Sequence, residues 1–170
     1  ADGASGDARN QGIIQYHHNG DYMRFFTSAS ERMRLTSTGL GIGTSAPNRL
    51  LTLGGTANAR LGLNASSYRN YSLSSDVYGF SIYDDTSTAY RLTVKSNGYV
   101  GINESAPFAN VHVKVSDSGV TSLNSAASGL FIESANSTGM TIASGTTNVG
   151  RLVFADSGNN LISYVQYDHS

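Results

Sequence analysis

The chain has 170 residues, a net charge of −1, no cysteine, no tryptophan and 14% charged residues. A near-neutral balance excludes the basic face that nucleic acid requires, and the lack of cysteine excludes disulfide staples and thiol chemistry. Leu, Ile, Val and Phe total 37 residues, about 22%, enough for a fold but thin for one closed core.

No apolar stretch approaches the ~20 residues of a membrane-spanning helix, and nothing resembles a signal peptide. In chain order, IIQYHH (13–18) is the first apolar segment. Met23 with Phe25, then Met33 with Leu35, alternate with other residues at the period of two that marks a strand. GIGTSAP (41–47) follows, then NRLLTL (48–53). The same order then returns. RLTVKSNG (91–98) answers RMRLTSTG (32–39), GINESAP (101–107) answers GIGTSAP, and NVHVKV (110–115) answers NRLLTL. Val111, Val113 and Val115 again give period two. Further on, GLFIES, GMTIAS and GRLVFADS are predicted strands, introduced by Gly129, Gly139 and Gly150. The ends also echo earlier segments: GRLVFADSG (150–158) matches ARLGLNASS (59–67), and YVQYDH (164–169) matches IIQYHH.

The spacing divides the chain into the back of one repeat unit (1–53), a complete unit (54–113) and the front of a third (114–170). A pattern that starts and stops in mid-unit is expected of a piece of a longer repetitive protein. No segment carries a helical stripe; TSLNSAASG (121–129) comes nearest. The expected fold is therefore all-β, with short strands and Gly, Asn or Pro turns.

GIGTSAP and GINESAP end on the only two prolines. Their glycines permit a sharp backbone and the Ile supplies one buried side chain. Ser-Ala-Pro then stops the ladder, because proline lacks an N–H and restrains its predecessor. The motif reads as punctuation: a strand ends, the chain crosses, and the next layer begins.

Apparent sites dissolve on inspection. GLGIG (39–43) lacks the G-x-G-x-x-G spacing of a phosphate loop, and Pro47 blocks a following helix. His17 and His18 would face opposite sides of a strand, so one chain cannot chelate with both. Three copies of one His around an axis could hold an ion, but Asp168 stands in the place of His17 in the partial copy. No metal, cofactor or catalytic residue is assigned. No G-x-S-x-G is present, which removes the usual esterase signal.

Segment 64–90, NASSYRNYSLSSDVYGFSIYDDTSTAY, is the least repetitive and the richest in tyrosine. Tyr68, Arg69, Tyr71, Asp76, Tyr78, Tyr83, Asp84 and Asp85 form the candidate carbohydrate-binding set. Tyrosine offers a flat apolar face to a sugar ring, and neighbouring polar atoms meet its hydroxyls. The alternative is that these tyrosines pack on strands, which they favour, and that Asp84 and Asp85 are solvated turn carboxylates.

YMRFFTSASERMRLTSTGLGIGTSAP followed by LLTL, with YVQYDHS at the other end, resembles the shaft repeats of bacteriophage tail fibres and tailspikes. The likeness is closest to repeats preceding endosialidase-type intramolecular chaperone domains. It covers 12–53 and 90–113 best, 150–170 less well, and 54–89 faintly. The resemblance implies a homotrimeric intertwined triple-stranded β-helix or β-prism, in which sister chains supply the missing core. It implies a virion tail fibre acting at the host surface, with host cell-surface polysaccharide as partner and neither nucleic acid nor membrane insertion. Tailspike relatives also include polysaccharide depolymerases, lyases or glycosidases with sites between subunits; here Asp84, Asp85, Tyr83 and Arg91 would be the residues to consider. A bacterial adhesin with the same stalk is a further alternative. One departure stands out: these repeats usually keep two residues between the first two glycines, as in GYVGI, whereas GLGI (39–42) has one. The first crossing is expected to bend differently.

Overall fold

The computed structural model describes residues 12–55, 58–64, 66–158 and 163–168. The first eleven residues of the expected first unit, and His169 and Ser170 of YVQYDHS, lie outside them. The chain is all-β. Among the described residues there are fourteen strands, no α-helix, and a single 3₁₀ turn at Ser125–Ala127. That turn, capped by the Asn124 side chain, is all that forms within TSLNSAASG.

Residues 1–135 and 136–170 are two compact units. The first holds two sheets. One has the order β1 (Gly12–His17), β2 (Tyr22–Thr27), β3 (Ser30–Leu35), β4 (Leu40–Ile42), β5 (Leu51–Leu53). The other runs in reverse order from β12 (Leu130–Glu133) through β11 (Val111–Lys114), β10 (Val100–Ile102), β9 (Ala89–Val94), β8 (Gly79–Asp84) and β7 (Tyr71–Asp76) to β6 (Ala59–Leu63). The second unit contains one hairpin, β13 (Val149–Phe154) and β14 (Ser163–Asp168). The first sheet thus ends at Leu53, while the second runs to Glu133, past the repeat boundary at 113. GMTIAS forms no strand: its backbone joins no ladder, and Met140 and Ile142 instead line a groove of about 330 Å³ against Leu152 and Val165.

The two halves of the repeat are built alike. Leu40 N–H donates to Leu50 C=O as Val100 N–H does to Asn110 C=O, both at 2.9 Å. Gly43 and Asn103 occupy the same left-handed backbone position, at φ +72° and +55°. A Cβ on Gly41 would lie 2.5 Å from Thr44 O, and one on Gly101 would lie 2.1 Å from Glu104 O. Pro47 and Pro107 are both buried. In each copy the chain then crosses to a strand parallel to the one just left, β5 beside β4 and β11 beside β10. The expected new layer is therefore a new strand of the same sheet. The turns before β4 and β10 do differ. Thr36 bonds back to Gly39 where Lys95 bonds back to Tyr99. The shorter turn presses Gly39 against the crossing loop, with 2.3 Å between a Cβ there and Arg49 O.

Strand register sorts the side chains into rows. Ile14, Phe25, Met33, Ile42 and Leu53 lie side by side across the first sheet, with Tyr16, Met23, Leu35, Leu40 and Leu51 as a second row. In the second sheet one row crosses all seven strands: Leu61, Leu73, Ile82, Leu92, Ile102, Val113, Ile132. The opposite face carries Ser74, Ser81, Thr93, Gly101 and His112 in register. Burial is inverted relative to an ordinary domain. Among the described residues Ala109 is the sole buried hydrophobic residue, while Ser72, Ser74, Ser81, Asp84, Thr93, His112 and Glu133 are buried. The apolar rows are open in part: Ile14 is 70% exposed, Leu51 56% and Leu61 49%, while Phe25, Met33, Leu53, Ile82, Leu92, Val113 and Ile132 are half-buried.

Candidate functional site

The part of the second sheet formed by β6 to β9 gathers most of the candidate residues into two adjoining groups. The hairpin β7–β8 and strand β9 bring Tyr78, Tyr83 and Tyr90 together, with Tyr90 edge-on to both others at ring separations of 5.0 and 4.9 Å. The Arg60 guanidinium lies 4.5 Å from the centre of the Tyr83 ring, and Lys95 Nζ lies 5.0 Å from that of Tyr78. Asp76 organises the hairpin end, accepting from Ser74 Oγ (2.9 Å), Tyr78 N–H (2.9 Å) and Tyr90 Oη (3.1 Å). Burial pushes the Asp76 carboxyl up, but these bonds outweigh it and hold it below the usual range. Burial, followed by the bond to Asp76, raises the Tyr90 phenol.

Asp84 corrects its sequence reading. Expected as a solvated turn carboxylate, it is completely buried. The turn after β8 curls back over it, so that it accepts from Thr86 N–H (3.1 Å), Ser87 N–H (2.9 Å) and Ser87 Oγ (2.9 Å). Arg91 Nη2 and Arg69 Nη1 reach its Oδ2 at 2.7 and 2.6 Å. The Arg91 bonds, backed by Ser87 and Arg69 against burial, hold the carboxyl well below the ordinary carboxylate range. Asp85 pairs with Arg60 at 3.2 Å. Tyr71 is half-buried on β7 opposite Leu63 and Asp84, and Tyr68 stands 82% exposed in the connection ahead of β7.

Tyr90 closes the tyrosine-rich segment 64–90 that the sequence marked out, whereas Arg60 and Lys95 belong to the site although the sequence did not single them out. Arg60 sits on β6, 25 positions before its partner Asp85, a distance at which sequence carries no pairing signal. For Asp84 a signal existed. Asp followed by Thr86 and Ser87 fits a side chain capping its own turn.

A second polar cluster lies at the parallel crossing. His112, fully buried between Phe108 and Phe131, directs Nε2 to Glu133 Oε1 at 3.0 Å. Glu133 also accepts from Ser118 N–H and Oγ, at 3.1 and 2.6 Å. Glu104, His112 and Glu133 are close enough together to share a cation. That cation is Lys114, whose ammonium lies 2.9 Å from Glu104 and 3.3 Å from Glu133. Burial raises the Glu133 carboxyl, but Ser118, His112 and Lys114 outweigh it and bring it to about 2. Only His17 lies on a strand, at the end of β1, and stacks on Tyr22; His18 falls in the turn that follows and meets Tyr16 edge-on.

The depressed carboxyls fix a pH dependence. A group whose folded pKa lies below its unfolded value stabilises the fold above the unfolded value and loses that effect as pH falls through the folded one. For Glu133 the window runs from the ordinary glutamate range, near 4.5, down to about 2, and Asp84 acts in the same sense. The melting temperature is expected to hold steady between pH 7 and 5 and to fall progressively below about pH 4.5. A circular-dichroism melting series across pH checks this. In Glu133→Gln the fall should be shallower and begin from a lower starting stability.

Among the described residues no helix is long and apolar enough to cross a membrane. No protein-family model matches the chain, and no curated protein matches it at a significant level.

Proposed function

We propose that this chain is a shaft segment of a homotrimeric fibre of the bacteriophage tail-fibre and tailspike kind. Three copies form a triple-stranded β-helical or β-prismatic rod, whose sides meet host-surface polysaccharide through weak, repeated contacts. The observation that carries this reading is the unbroken apolar row across seven strands, which in a single chain leaves Leu61, Leu73 and Ile102 exposed and Ile82, Leu92, Val113 and Ile132 only half-buried. A closed ring of sister chains covers such faces without leaving sheet edges for uncontrolled growth.

On the opposite face, Tyr78, Tyr83 and Tyr90 with Arg60 and Asp76 give the side of the rod a recognition surface. Rings present apolar area to a pyranose while charged and hydroxyl groups meet its oxygens. Three such faces per rod, repeated along it, turn weak contacts into firm attachment.

Light scattering tests the assembly. A mass near three times 17.9 kDa is expected, and a well-folded monomer overturns the proposal. For the recognition face, Tyr78→Ala removes the most open ring of the cluster. Retention on immobilised capsular or lipopolysaccharide should fall about three- to tenfold with the trimer mass unchanged.

A further inference from the structure

The hairpin β1–β2 carries a cross-strand pair that the tyrosine cluster does not use. Gln15 and Arg24 face each other in register, as do Ile13 and Phe26, on the side away from Ile14 and Phe25. With Ala29 these four residues line a groove of about 350 Å³, within the size range of small-molecule sites. Arg24 Nε donates to Gln15 Oε1 at 2.9 Å. That bond fixes the orientation of the amide and leaves Gln15 Nε2 as a donor with no partner among the described residues. The guanidinium lies 4.9 Å from the centre of the Phe26 ring and 5.7 Å from that of Tyr22, so the two rings hold it in place before any ligand arrives.

The remaining donors lack an acceptor. Glu31 takes two bonds from Arg34, each 2.7 Å, and stands 3.9 Å from Arg24. One carboxylate thus serves two guanidiniums, and a positive charge is left over. Residues 12–55 as a whole carry Arg24, Arg32, Arg34 and Arg49 against Asp21 and Glu31. A sugar hydroxyl brings a donor along with its acceptor, whereas a carboxylate brings acceptors only and matches the paired Nη groups of an arginine. The arrangement recurs in the second unit. There Arg151 Nε donates to Gln166 Oε1 at 2.6 Å, and the guanidinium lies 5.2 Å from the centre of the Tyr164 ring. Gln166 is the residue that the sequence repeat aligns with Gln15, and Arg151 has no ion-pair partner among the described residues.

We propose that the Gln15–Arg24 groove binds the carboxylate of an acidic sugar. Arg24 and Gln15 meet the carboxylate oxygens, while Phe26 and Ile13 meet the sugar ring. The Gln166–Arg151 pair repeats the contact further along the chain. This rests on the reading of the chain as a polysaccharide-binding shaft and names the class of polysaccharide, one that carries uronate carboxylates.

Polygalacturonate and its fully methyl-esterified form, immobilised at equal density, are the probes, since they differ only in the free carboxylate. The wild-type protein is expected to hold the acid about tenfold or more tightly than the ester. Arg24→Lys keeps the charge but removes the paired Nη groups, and should weaken binding to the acid about fivefold. Gln15→Glu gives Arg24 a carboxylate from the chain itself and should weaken binding as much, without lowering the melting temperature. Arg49→Ala removes an equal charge from an exposed residue outside the groove and should change binding by less than about twofold. An unchanged Arg24→Lys variant overturns the subsite. So does an equal loss in Arg49→Ala, since the attraction is then diffuse, and so does tighter binding to a phosphorylated mannan than to polygalacturonate. A trimer that holds acid and ester alike, and lets both go in Tyr78→Ala, overturns the subsite and leaves the shaft reading standing. Acid-selective, Arg24-dependent binding by a folded monomer overturns the fibre and leaves the subsite standing.

Discussion

Ile102→Ala is expected to dissociate the assembly. Ile102 is an interior member of the seven-strand row and is 39% exposed in a single chain, so its fate depends on what covers that row. Covered by sister chains, the truncation costs about 2–5 kcal/mol per copy, three times over in a symmetric trimer. Left in water, it costs within about 0.5 kcal/mol. The two outcomes are far apart. Light scattering across a dilution series should show the variant falling to monomer mass at concentrations where the wild type holds together. A denaturant midpoint unchanged from wild type would show the row is not an interface.

Gly101→Ala should be comparably severe for a different reason. The residue is buried at the start of the GINESAP crossing, and an added Cβ would stand 2.1 Å from the carbonyl oxygen of Glu104. Backbone cannot swing aside as a flexible side chain can, so the crossing must open or β10 must leave its ladder. A cost of about 3 kcal/mol or more is expected. Gly41→Ala repeats the test at 2.5 Å from Thr44 O. Gly139→Ala, where nothing lies within 4 Å, supplies the control and should change stability by no more than about 0.5 kcal/mol. Chemical denaturation at fixed protein concentration ranks the three.

Much of the strand content was legible because apolar alternation survives intact in YMRFFT, RMRL and VHVK, where β2, β3 and β11 form. The crossing was legible as a stop but not as a destination. Glycine and proline show where a ladder ends, and nothing in GIGTSAP states whether the next strand joins the same sheet. GMTIAS misled because alternation describes a face, and a strand also needs a ladder partner.

The candidate site was legible in its tyrosines and hidden in its charges. Tyr78 and Tyr83 lie in the densest aromatic stretch of the chain. The depth of Asp84 depends on Arg69 and Arg91, fifteen and seven positions away. His112 reads as an outward residue between two valines of an amphipathic strand. It is buried because Phe108, Phe131 and Glu133, the last 21 positions on, converge over it. Contacts that cross between strands leave no trace in local pattern.

The inversion of burial, serines and a histidine enclosed while leucines face outward, has a kinetic consequence for the proposed trimer. A lone chain gains little by collapsing, so no unimolecular path leads to the native rod. Maturation then follows the frequency of encounters between nascent chains. Ribosomes crowded on one message, by keeping siblings near each other, would set its pace more than any property of the isolated polypeptide.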